Sequence, residues 1–171
     1  KTPDLNEKEK QSILEIYSEL SDASCGFLGR FLLAASVADR NCVKEMIIRG
    51  SDEEQAAAIM ALNLRSDGGE LKDSVVHACR TNSTIVHSAV SQNNPYPAQF
   101  FDDQEFKQLT IKTIFMGLDF NRIVNLESRF NGDLGQSLTD FFNERKAANR
   151  WLPDAVLEFM KRKDSFIKLI R

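Results

Sequence analysis

Residues 103–116 read DQEFKQLTIKTIFM and carry the clearest structural signal in the chain. On a helical wheel, most of the circumference is covered by apolar side chains, namely Phe106, Leu109, Ile111, Ile114 and Phe115. A narrow polar stripe remains, formed by Glu105, Gln108 and Lys112 at helical spacing. The pattern predicts a mostly buried helix. The stripe is either a solvated seam, or it places Gln108 and Lys112 in a groove beside residues 94–97.

Apolar residues recur at spacings of three and four along the rest of the chain, which indicates further helices. We predict helices over residues 7–20, 23–39, 43–48, 52–64, 70–80, 83–90, 103–117 and 133–148, a short helical turn over 120–126, and a last helix from 154. No segment shows sustained alternation of period two. The predicted fold class is therefore all-α. We expect a single domain, residues 1–171, of stacked antiparallel helix pairs, either a bundle or a short HEAT-like solenoid.

Local signals mark several helix boundaries. Ser51 and Glu54 have the spacing of a capping box, in which each side chain accepts a hydrogen bond from the other residue's backbone amide. Asp102 or Asp103, with Glu105 just behind, predicts a second helix start. The segment Asn93-Asn-Pro-Tyr-Pro97 is predicted to be non-helical, because each proline disfavours helical geometry in the residue before it. We expect Trp151 to anchor the last helix against the body.

Composition and spacing argue against several function classes. The 22 Lys and Arg residues are outnumbered by 25 Asp and Glu, a net charge of −3, so we expect no nucleic-acid partner. Cys25, Cys42 and Cys79 have no CxxC spacing and are predicted to be buried, reduced thiols of a cytosolic protein. His77 and His87 match no metal-ligand spacing, and no apolar run reaches the roughly 18 residues of a membrane span. We therefore expect no metal, no cofactor and no membrane span.

The second half of the chain contains a series of short motifs. They are Arg80-Thr-Asn82, Asn94-Pro-Tyr-Pro97, Gln108-Leu109-x-x-Lys112, Phe115-Met-Gly-Leu118, Arg122-Ile-Val-x-Leu126, Arg129-Phe-Asn131 and Glu144-Arg145-x-Ala147-Ala148. In this order and spacing they resemble the EboA-like family over residues 80–153. The N-terminal half matches that family in helical character only.

The resemblance implies an all-helical bacterial protein of unassigned biochemical activity. The family is named after a cluster of neighbouring genes associated with handling or exporting a small secondary-metabolite precursor. Near its end this chain departs from the commoner family pattern, with Asn143 in place of a histidine and Asn149 in place of a glycine. The first change weakens any acid–base role there. The second is mild, because asparagine also tolerates the left-handed conformation that ends helices.

We expect a non-catalytic helical binding or scaffold protein, acting in the cytoplasm with proteins of the same gene cluster or with a small anionic metabolite. The hypothetical ligand site is a polar groove formed by Arg80, Tyr96, Gln108, Lys112, Arg122, Glu144 and Arg145. The cations would hold an anionic group, and the ring of Tyr96 would offer an apolar wall. The structural alternative is a buried hydrogen-bond and ion-pair network that joins helices. An enzyme acting on a small anionic metabolite and a protein-interaction adaptor are the functional alternatives.

Overall fold

A computed structural model describes residues 23–151 and 153–170, with side chains to residue 163. In this part of the chain the α-helices are α1 Cys25–Ser36, α2 Arg40–Arg49, α3 Asp52–Ala61, α4 Lys72–Ala78, α5 Thr84–Ser91, α6 Tyr96–Phe100, α7 Asp103–Phe115, α8 Gly132–Ala147 and α9 Asp154–Ile170. Short 3-10 turns lie at Leu62–Leu64, Gly68–Leu71 and Phe120–Arg122. No β-strand occurs among the described residues, so the all-α prediction is confirmed. The helix predicted over residues 7–20 lies outside them.

Helix α3 lies at the centre of the bundle, with α1, α2 and α5 packed against it. Residues 56–61 are all buried and read AAAIMA, so small side chains let the neighbouring helices approach closely. The predicted capping box is confirmed at its start. The Ser51 hydroxyl accepts the amide hydrogen of Glu54, and the Glu54 carboxylate accepts that of Ser51 at 2.8 Å. Two of the four amides that a helix start leaves unsatisfied are thereby satisfied.

From α5 the packing continues through α7 to α8. The helix predicted at residues 103–117 is confirmed as α7, with Asp102 as its cap and Glu105 completing a second capping box. The chain leaves this helix through Gly117, which has a φ of 72°. Glycine adopts that left-handed conformation without steric cost because it has no Cβ.

The prediction that residues 93–97 are non-helical is confirmed for residues 93–95 and wrong for Tyr96 and Pro97. Tyr96–Phe100 is the short helix α6, with Pro95 at its N-cap and Pro97 in its first turn. The amides of a first turn have no acceptor within the helix, so proline loses nothing there. The side chain of Asn94 accepts the amide hydrogen of Tyr96 at 2.9 Å and fixes the start of the helix.

The end of the chain differs from the prediction in one contact. Trp151 is 68% exposed, so its predicted role as an anchor is wrong. Helix α9 is held instead by Phe159, whose ring makes edge-on contacts with Phe120 and Phe130 at centroid distances of 5.1 and 5.4 Å. Asn149 has a φ of 50°, the left-handed conformation that its side chain was expected to tolerate.

Arginine side chains from distant parts of the sequence satisfy the carbonyl ends of two helices. Arg65 donates to the carbonyl oxygens of Ala34 and Val37, at the end of α1, at 2.9 and 2.6 Å. Arg129 donates to the carbonyls of Ala98 and Phe101, at the end of α6, at 3.2 and 2.9 Å. A helix end carries unsatisfied carbonyls and partial negative charge, so a cation there is stabilising.

Tyr96 is a core residue with no exposed surface. Its hydroxyl donates to the carbonyl oxygen of Gly68 at 2.8 Å, and burial raises the pKa of this phenol, so it remains a donor. Residue 68 must be glycine for this packing, since a Cβ there would collide with the carbonyl oxygen of Leu62. The contact joins α6 to the turn before α4.

We expect Tyr96→Phe to lower the free energy of unfolding by about 1 kcal/mol, because it removes the buried hydrogen bond from the phenol hydroxyl to the carbonyl of Gly68. Urea denaturation gives this value. Thr139→Val is the control, since it removes an exposed hydroxyl that donates within its own helix; its effect should stay below about 0.5 kcal/mol. Equal effects of the two substitutions would contradict the structural role of the Tyr96 hydroxyl.

His87 is fully buried where α5 meets α7. Its Nε2 lies 3.1 Å from Oγ1 of Thr113, whose hydroxyl already donates to the carbonyl of Leu109. Nε2 therefore carries the proton, and Nδ1 has no hydrogen-bond partner among the described residues. Burial, together with the nearby charge of Lys112, lowers the pKa of His87 from 6.5 to about 4. The folded protein thus keeps this imidazole neutral.

The depressed pKa of His87 predicts a specific acid sensitivity. Above pH 6.5 the imidazole is neutral in both the folded and the unfolded chain, but between pH 6.5 and 4 only the unfolded chain takes up the proton. Relative to His87→Gln, the parent should lose about 2 kcal/mol of unfolding free energy between pH 7.5 and pH 4.5. Urea titrations at several pH values measure this, and the exposed His77→Gln serves as the control. An identical pH profile for parent and His87→Gln would refute the assignment.

Candidate functional site

A cavity of about 310 Å³ lies between α4 and α7 and is called here the α4–α7 cavity. Cys79, Phe101 and Leu109 contribute to its apolar wall. Its polar groups are Arg80, Glu105, Gln108 and Lys112. The polar stripe predicted on α7 therefore lines a cavity and is not a plain solvated seam.

A second, more open groove of about 690 Å³ lies between α7 and α8 and is called the α7–α8 groove. Its apolar side chains are Ile111, Phe115 and Phe141. Gln108 and Lys112 line this groove as well as the α4–α7 cavity, so both concave surfaces share one wall.

Lys112 is fixed by the end of α4. Its ammonium donates to the carbonyl oxygen of Cys79 at 2.8 Å and to that of Thr81. These carbonyls follow the last turn of α4, which ends at Ala78, so the lysine acts as the cation of a helix C-terminus. An ammonium has three donors, and the two carbonyls leave one for another acceptor.

The carboxylate in the α4–α7 cavity is already paired. Glu105 accepts the Lys72 ammonium at 2.9 and 3.1 Å, and it also accepts the amide hydrogen of Asp102 at 2.8 Å. The side-chain hydrogen bond to Glu105 raises the pKa of Lys72, so this ammonium stays charged at neutral pH. Arg80 and Lys112 thus contribute positive charge that no carboxylate in the cavity lining compensates.

Two further donors in the cavity have no partner. Arg80 and Gln108 are exposed, and in the described part of the chain neither the guanidinium nor the amide makes a hydrogen bond or ion pair. Burial raises the pKa of the neighbouring Cys79 thiol to about 12, so it is not a thiolate at neutral pH. The cavity therefore offers donors and positive charge without an activated nucleophile in that thiol.

Among the predicted site residues, the structure brings Arg80, Gln108 and Lys112 together in the α4–α7 cavity. Glu144 lines the adjoining α7–α8 groove. Its carboxylate makes no hydrogen bond or ion pair within the described residues.

The other predicted site residues lie elsewhere. Tyr96 is in the core and forms no wall of either concave surface. Arg122 lies in the 3-10 turn that follows α7, and its carbonyl accepts the amide hydrogen of Asn93 at 2.7 Å. Arg145 closes the end of α8 by donating to the carbonyl of Trp151 at 3.0 Å. These positions agree with the structural network that the sequence left open as an alternative.

Sequence reasoning missed the apolar part of the site. Phe115 was assigned to the buried face of α7 but is 64% exposed at the rim of the α7–α8 groove. The sequence shows that residue 115 is apolar, but a helical wheel does not show that α8 leaves its ring uncovered.

The cysteines are less buried than predicted, because Cys25 and Cys42 are exposed and Cys79 is half-buried. Among the described residues, no group of His, Cys, Asp and Glu side chains is arranged to hold a metal ion. Within the same residues, no helix combines the length and the apolar character needed to cross a membrane.

Comparison with known proteins places the chain in a family. Searches of curated proteins and of solved structures gave no match. A family model described as "Metabolite traffic protein EboA" matches residues 29–161. The match begins well before residue 80 and is therefore wider than the motif region that the sequence indicated. Because it extends over more than half of the chain, the protein belongs to the EboA family.

Proposed function

We propose that this protein is a non-catalytic helical binding protein that holds a small anionic metabolite in the α4–α7 cavity. It would act in the cytoplasm, in a bacterial pathway that handles or exports a secondary metabolite, and exchange its ligand with other proteins of that pathway. The family description, metabolite traffic protein, supports the general role. The ligand class, the compartment and the partners are our proposal.

One observation carries the proposal: the cavity contains cationic and amide donors that lack an internal acceptor. Arg80 and Gln108 make no side-chain hydrogen bond among the described residues, and Lys112 has one donor beyond its two carbonyls. A carboxylate or phosphate would accept from these groups in charge-assisted hydrogen bonds. Glu105 does not oppose it, because Lys72 neutralises that carboxylate.

The titration of the neighbouring groups favours binding over catalysis. A catalytic site would need an acid, base or nucleophile whose pKa is shifted toward neutrality. The pKa of Cys79 is shifted upward by burial, and that of Lys72 is shifted upward by Glu105. Both groups therefore stay protonated at neutral pH.

We expect small carboxylates and phosphates, inorganic phosphate included, to stabilise the parent in a thermal-shift screen. A ligand at one hundred times its dissociation constant adds about 2.7 kcal/mol to the free energy of unfolding. Arg80→Gln and Gln108→Ala should each weaken binding about tenfold, because each removes a donor to the anion. Lys112→Met should weaken binding and also lower stability, because it uncaps α4.

Arg150→Gln is the matched control, since it makes the same change of charge at an exposed residue that lines neither concave surface. The proposal fails if Arg80→Gln and Gln108→Ala shift the apparent affinity no more than this control does. Because neither Arg80 nor Gln108 has a side-chain partner to lose, a folding defect cannot account for the expected effect.

A further inference from the structure

The α7–α8 groove has an unusual strip of uncovered apolar surface. Ile111 and Phe115 are four residues apart on α7 and face Phe141 of α8 in the same groove. Phe115 is 64% exposed, although it lies in the last turn of a helix whose other face is buried. Uncovered rings beside polar groups are typical of ligand-binding surfaces.

The groove and the α4–α7 cavity adjoin each other. Gln108 and Lys112 line both, so a single molecule seated at these side chains contacts both surfaces. The cavity, at about 310 Å³, is at the lower limit of small-molecule sites, whereas the groove adds about 690 Å³. The two together have the volume of a site for a molecule larger than a simple anion.

The charges of the two surfaces differ in sign. The cavity carries Arg80 and Lys112, whereas the far wall of the groove carries Asp140 and Glu144 on α8. Lys107, on the near wall, is neutralised by Asp133 at 2.7 Å. For a molecule that lies across both surfaces, a negative charge of its own is therefore favourable at the end in the cavity and unfavourable at the end in the groove.

We propose that the ligand is an amphipathic monoanion, with one carboxylate or phosphate in the α4–α7 cavity and a ring-bearing apolar body in the α7–α8 groove. This inference rests on the proposed function and specifies its ligand class. Gln108 and the aliphatic stem of Lys112 lie under the junction of the two parts. The ring of the ligand packs against Phe115 and Phe141.

A small molecule fits this groove better than a protein partner does. Stable protein–protein interfaces bury roughly 1,200 Å² or more around an apolar centre. Here the apolar strip consists of Ile111, Phe115 and Phe141, and Asp140 and Glu144 border it directly. The adjoining cationic cavity is the second reason, since it supplies a charged anchor for the molecule that covers the strip.

The test compares acetate with 2-naphthylacetate, which share a carboxylate and differ in the rings, by two-dimensional NMR titration of the full chain. We expect 2-naphthylacetate to bind at least about tenfold more tightly than acetate. Phe115→Ala should remove most of that difference and leave the affinity for acetate unchanged. Leu33→Ala, which truncates another exposed apolar side chain on α1, is the control and should leave both affinities unchanged.

Arg80→Gln separates this inference from the proposed function, because it should weaken both carboxylates equally. If Arg80→Gln weakens both but Phe115→Ala leaves their ratio unchanged, the apolar subsite is wrong and the anion site stands. If neither compound binds, or neither responds to Arg80→Gln, both proposals fail.

Sedimentation at rising protein concentration tests whether a second copy of this chain occupies the α7–α8 groove instead. A dimer that Phe115→Ser dissociates would show that a second copy covers the groove, and would overturn the inference.

Discussion

Cationic side chains that donate into the carbonyl ends of helices connect parts of this molecule that are far apart in the sequence. Arg65 does so at the end of α1, Lys112 at the end of α4 and Arg129 at the end of α6. Helices α4 and α6 have only 7 and 5 residues, far fewer than an isolated helix needs to be stable in water. Their geometry therefore depends on tertiary contacts, and these hydrogen bonds fix where each short helix ends.

Lys112 connects the capping of α4 with the α4–α7 cavity. By holding the end of α4 against α7 it sets the width of the α4–α7 cavity, and by the same placement it puts an ammonium in the cavity wall. His87 stays neutral near this lysine, because a second cation buried beside Lys112 would be strongly unfavourable. The structural network and the proposed ligand site, which the sequence offered as alternatives, therefore share this lysine.

The sequence predicted those features that depend on neighbouring residues. The capping boxes at Ser51 and Asp102, the all-α class and the left-handed Asn149 all follow from spacings within a few residues. The short helix α6 was missed because proline is unfavourable inside a helix but harmless in its first turn, and the position of that turn is set by the side chain of Asn94.

The candidate site was predicted only in part, since its geometry depends on contacts across long stretches of sequence. Lys112 reaches a carbonyl 33 residues away, and the hydroxyl of Tyr96 reaches one 28 residues away. No local pattern shows whether a tyrosine or an arginine will find such a partner, so residue type alone could not separate Tyr96 and Arg145 from Arg80. What distinguishes Arg80 is the absence of a side-chain partner among the described residues, which only the folded structure reveals.

The shape of the site bears on how a carrier would release its ligand. Lys112 is held by two carbonyl oxygens at the end of α4, so one donor for the anion is in place before the ligand arrives. Association then needs no closing movement, whereas the open α7–α8 groove leaves part of the bound molecule in contact with water. Affinity differences among related ligands arise mostly in the dissociation rate. An apolar body that is only partly enclosed would therefore shorten the residence time of the proposed ligand, and a protein that hands a metabolite on would require that property more than tight binding.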